Sequence, residues 1–163
     1  MSIEAHAIEH HDLVAGLRAE AVGRLALEAA VELLIRHDRW LREPALVDRL
    51  VRVDDPLGED LRVDWDTAAD LIAEALLQPE DRSVLAIAAS IAVGEPVALS
   101  QRIPAMRRDT VALVLAAIAH AAGTHLQVDH VGELNTAGEW VATSTSPRVS
   151  LGPVVSWPDA PGR

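Results

Sequence analysis

Apolar residues are so dense in the first part of the chain that its polar positions, rather than its hydrophobic ones, mark the helical period. Between Asp12 and about His37 the charges Glu20, Arg24, Glu28, Glu32 and Arg36 fall four apart, and almost everything else from Ala21 to Ile35 is Ala, Val or Leu. On a 3.6-residue helix that spacing leaves one narrow polar stripe. The pattern predicts one long helix, capped by Asp12 and covered on most sides by other protein.

Shorter elements follow. Pro44 suits the first turn of a short amphipathic helix reaching about Val51, with Leu46, Val47 and Leu50 as its apolar face. An acidic loop, Asp54 to Asp60, precedes a helix that begins near Asp64 or Asp66 and gathers Trp65, Ala68, Ala69, Ile72, Ala75 and Leu76 on one face. Pro79, Glu80 and Asp81 open the next helix, which Gly94-Glu95-Pro96 stops, and Ser83 to Val93 within it carries no charge. A helical piece from about Val97 to Ile103 leads to Asp109, expected to cap a last, nearly uncharged helix ending at Gly123.

Beyond Thr124 the period changes. Leu126-Gln127-Val128 and Trp140 to Thr145, set around Asn135-Thr136-Ala137-Gly138, predict a β-hairpin within 124–145, and residues 146–163 read as an extended tail ordered where Val154, Val155 and Trp157 find a groove. The expected fold is therefore mainly α: a compact bundle of five or six helices over residues 1–123, with a small C-terminal β-hairpin and tail.

Composition supports helices. Half of the 163 residues are hydrophobic, yet Phe and Tyr are absent and the aromatic residues are Trp40, Trp65, Trp140 and Trp157. A core of Ala, Leu, Val and Ile suits closely approaching helices. Without cysteine there are no disulfides and no thiolate chemistry. The first residues form no secretion signal, and the longest uncharged helical stretches, Ser83 to Gly94 and Thr110 to Ala122, fall short of the roughly 20 residues of a membrane span. The expected location is the cytoplasm.

The net charge of −11 lies wholly in the first half: residues 1–81 hold nineteen acids and eight Arg, residues 82–163 six of each. That balance opposes non-specific binding to nucleic acid and anionic membranes and favours solubility or a basic partner. Asp60, Asp66, Asp70 and Glu74 form an acidic face that a partner protein would use, although helix capping and solvation are the favoured account of such residues.

Two other chemistries compete. The order of helix, short helix, turn, helix and hairpin over residues 82–145 is that of a degenerate winged helix-turn-helix, in which Arg102, Arg107, Arg108 and Thr110 would meet DNA. The expected recognition helix, however, offers Ala112, Leu113, Val114, Ala116 and Ala119 where base edges require polar groups. A metal-dependent enzyme would draw on His6, Glu9, His10 and His11, or on His120, His125, Asp129 and His130; the H-E-x-x-H spacing is missing, and so are a nucleophile elbow and a phosphate loop.

No catalytic residue, metal ligand or cofactor is assigned. The sequence expectation is a module that binds another protein or itself, carried by a surplus of apolar helix surface.

Overall fold

The computed structural model describes residues 5–54, 60–74, 77–127, 130–145, 149–150 and 152–158. The chain is mainly helical, with a small antiparallel sheet element near its C-terminus. Seven α-helices are described, one more than the upper expectation, because the first long helix is two.

Helix α1 (His10–Ala21) ends at Val22, whose backbone is extended, and Gly23 takes φ +83° before α2 (Leu25–His37) begins. The left-handed conformation is cheap only for glycine, so the break sits where the sequence permits it. The charged row survives in part: Arg24 still pairs with Glu20, and Arg36 with Glu32. Glu28 instead accepts the Gly23 backbone N–H and faces His120. At its other end α2 closes on Asp38 in the left-handed region, whose N–H bonds to the carbonyls of Leu34 and Ile35. That turn leads to Trp40, which is fully buried.

Helix α3 (Pro44–Leu50) runs into a hairpin that the periodicity had not announced, β1 (Val51–Val53) against β2 (Leu61–Val63). Its expected acidic loop falls largely on residues 55–59, outside the described residues. Arg52 and Arg62 stand opposite each other across the strands, and each is met by a carboxylate: Asp64 at 2.7 Å and Asp54 at 2.6 Å. Helix α4 (Trp65–Ala73) starts as expected, with Asp64 accepting the Thr67 N–H; Ala75 and Leu76 lie outside the described residues.

Helix α5 (Pro79–Val93) opens on its proline and stops at Gly94 in the left-handed region. It is the central element, buried from Ser83 through Ala89. Helix α6 is short (Leu99–Arg102) and passes into a 3-10 turn at Ile103–Ala105. Helix α7 (Arg108–Ala121) begins earlier than expected: Arg107 is its cap position, and Asp109 lies in the first turn, accepting the Thr110 N–H. The cap assignment to Asp109 is thus corrected.

Helix α2 packs on both α5 and α7, α4 covers α5, and α1 covers α2. Small residues meet at these crossings, with Ala29 and Ala30 on α2, Ala88 on α5 and Ala117 on α7 all at 0% exposure. Leu33, Leu50, Leu71 and Leu85 fill the space between them. Each such leucine contributes roughly 1.5–3 kcal/mol by leaving water.

The C-terminal hairpin forms with a different partner from the expected one. Strand β3 (Leu126–Gln127) pairs with β6 (Val149–Ser150), whereas β4 (His130–Leu134) pairs with β5 (Trp140–Thr145) around the Asn135 turn. Asn135 organises that turn by accepting the N–H groups of Ala137 and Glu139, an Asx geometry that fixes the register. The tail then returns to the helices, where Trp157 is half-buried beneath the Arg36 guanidinium, 5.2 Å from its ring centre, and Arg36 donates to the Pro158 carbonyl. Residues 159–163 and the Pro147 region lie outside the described residues.

Candidate functional site

The two uncharged helices have different fates. Helix α5 is enclosed, but α7 buries only one side, Thr110, Val114, Ala116 and Ala117, mainly against α2. Its other side carries Leu115 at 51% exposure and Ile118 at 42%. Val111 and Ala122 extend this row, half-buried and exposed respectively. The spacing 111, 115, 118, 122 advances by four, three and four residues, which is the seam of helices that pack along one another. No charged residue interrupts it from Thr110 to Ala119.

The start of α7 is tied down. The Glu80 carboxylate, from the first turn of α5, accepts the Arg107 backbone N–H at 3.0 Å, the Arg107 Nε and the Thr110 hydroxyl. Burial pushes the Glu80 carboxyl up, but these bonds and the Arg107 charge outweigh it and hold the group below its ordinary value. Arg107 and Thr110, two of the residues that the helix-turn-helix reading assigns to DNA, are thus brought together around an acid. Arg108 is exposed on the first turn of α7, and Arg102 is half-buried at the end of α6. The exposed face of α7 presents leucine and isoleucine, which read no base edge.

The acidic face is partly spoken for. Asp66 and Asp70 are exposed on α4, and Asp60 is exposed ahead of β2. Glu74, just past the helix end, receives both Arg49 amino groups, at 2.8 and 2.5 Å. Those bonds lower its carboxyl and raise the guanidinium.

Among the described residues the histidines form no cluster of three. His6 bonds to Asp48, His10 lies 3.9 Å from Asp38, and His11 faces Asp12. His120 contacts Glu28 at 2.8 Å and stacks on His125, with ring centres 4.6 Å apart. Asp129 is outside the described residues, as is the His130 side chain. Among the described residues, no group of three His, Asp or Glu is placed to hold a metal ion.

The end of α2 and the starts of α5 and α7 enclose an open cleft of 710 Å³, lined by His37, Asp38, Arg39, Arg42, Glu80, Asp81 and Arg107 among others. Its only sequence signal is a pair of arginines three apart, Arg39 and Arg42, immediately after a helix that ends in histidine.

Among the described residues no helix is long and apolar enough to cross a membrane. No protein-family model matches this chain, and neither the curated proteins nor the solved structures contain a match.

Proposed function

We propose that this protein is a self-associating helical module whose interface is the outer face of α7, and that its partner is a second copy of itself. The observation that carries this reading is the outward row of half-buried Val111 and exposed Leu115, Ile118 and Ala122 on a helix whose opposite face is already packed. A row with four-three-four spacing is complementary to its own copy, because an antiparallel pair sets each apolar side chain into the gaps of the other. Charge narrows the choice of partner further. Two chains of net charge −11 repel wherever their acids face each other, and the uncharged face of α7 is where that repulsion is least.

The test is molecular mass by light scattering or sedimentation at micromolar concentration. A dimer is expected, and Leu115→Glu with Ile118→Glu should yield a monomer with unchanged helix content, since both side chains are exposed. A wild-type monomer across that range overturns the reading.

A further inference from the structure

The cleft at the end of α2 has the chemistry of an anion site. Arg39, Arg42 and Arg107 line it, with side chains 60%, 58% and 70% exposed. Each guanidinium is approached by an acid at its Nε: Asp81 at 3.6 Å for Arg39, Asp38 for Arg42, and Glu80 at 3.1 Å for Arg107. The terminal amino groups of all three make no hydrogen bond with the described residues. An arginine hydrogen-bonded at Nε, as Arg42 and Arg107 are, keeps a fork of two or more N–H donors in a restricted orientation, an arrangement that suits the oxygens of a phosphoryl group, and Arg39 adds a third guanidinium that its acid approaches without a hydrogen bond.

The second observation is independent of the arginines. His37 lines the same cleft with its side chain 5% exposed, and its Nδ1 is buried without a hydrogen-bond partner. A buried ring nitrogen left unpaired is costly and rare. Its other nitrogen, Nε2, lies 3.7 Å from Asp81. The charged groups facing the ring are Asp81 and Glu80 from α5 and Arg107 and Asp109 from the start of α7, with Asp38 and Arg39 adjoining it after α2. Three acids and three arginines line the cleft, so its formal charge is zero while His37 is neutral.

We propose that this cleft binds a small phosphorylated ligand, gripped by the outward ends of Arg39, Arg42 and Arg107, with His37 taking up a proton as the anion enters. The volume is within the range of small-molecule sites and exceeds what orthophosphate alone fills, so the phosphoryl group is the anchored end of a larger molecule. Proton uptake follows because an anion beside the ring favours the imidazolium that the empty site disfavours. The ligand is free in solution rather than a lipid headgroup, since a chain of net charge −11 is repelled by an anionic bilayer.

Calorimetric titration with inorganic phosphate, and with sulfate as an anion whose charge is constant near neutral pH, tests the site on the intact chain. Saturable binding is expected for both, with sulfate binding tighter at about pH 6 than at about pH 8. Arg39→Gln with Arg42→Gln should weaken binding by about tenfold or more while leaving the melting temperature nearly unchanged, because both side chains are exposed. His37→Gln should flatten the pH dependence of sulfate binding. Absence of saturable binding to either ion overturns the proposal, as does binding that survives the double arginine change. Co-sedimentation with phosphatidylcholine–phosphatidic acid vesicles in place of free-anion binding overturns it as well. If His37→Gln does not fold, the double arginine variant still decides.

Discussion

His37 and Asp64 show how single side chains set the conditions under which this fold is stable. Burial pushes the His37 imidazole below its ordinary value of 6.5, against the pull of Asp81 and Glu80. The unfolded chain therefore binds a proton near that pH which the folded protein refuses, so His37 lowers stability as pH falls below about 6.5. Asp64, Glu32 and Glu80 are shifted below their ordinary carboxylate values, and the stability they confer is present at neutral pH and lost as pH falls through their lowered values. The two windows are separable. Denaturant melts should show a decline that sets in below about pH 6.5 and is absent in His37→Gln, followed by a steeper decline at lower pH common to both proteins. Asp64 serves at once as the cap of α4 and as the partner of Arg52 and Thr67, and it is 8% exposed. Asp64→Ala should cost about 0.5–2 kcal/mol, the range of a lost cap, measured by the same melts.

At the scale of elements, what the sequence made legible was whatever local chemistry decides. Pro44, Asp64, Pro79 and Gly94 mark real helix ends because a missing N–H, a side-chain acceptor and a left-handed residue each act within one turn. The α1–α2 break was hidden because Glu20, Arg24, Glu28, Glu32 and Arg36 keep their four-residue spacing through it, although Gly23 carried the signal. Hairpin β1–β2 was missed because three-residue strands give too short an alternation to stand out from an adjoining helix. Strand pairing after α7 is a long-range choice, and sequence spacing could not show that Leu126 meets Ser150 rather than strand β5. The surplus apolar surface was legible, but which of the two uncharged helices retains it depends on packing. The cleft was not legible, since His37 and Asp81 meet only when α2 and α5 cross. One element can be tested alone. A Cβ on Gly132 would stand 2.5 Å from the Val141 carbonyl oxygen and as close to the Trp140 ring, so Gly132→Ala cannot be accommodated without moving the strand. Because β4 and β5 pack chiefly on each other, that change should abolish amide exchange protection in the hairpin while the helical melt shifts by less than about 1 kcal/mol.

For the whole molecule, self-association and charge act against each other, and this gives the proposed dimer a distinctive response to salt. Each chain carries −11, so two chains bring a formal −22 into one particle, and most of that charge sits on the half of the sequence that precedes α5. The α7 seam contributes apolar burial that ionic strength barely alters, whereas the repulsion is screened over a Debye length of about 8 Å at physiological salt and less above it. Raising the salt concentration should therefore tighten the dimer, and the melting temperature should rise with protein concentration as mass action requires. Binding to DNA through Arg102, Arg107 and Arg108 would respond in the opposite sense, because released counterions make such binding weaken with salt. An Arg-rich partner on Asp66 and Asp70 would weaken with salt too. Sedimentation across a salt series thus separates the α7 seam from the two charged modes by sign alone: association that strengthens and is lost in Leu115→Glu supports the α7 seam, and association that weakens with salt places the contact on charged residues instead.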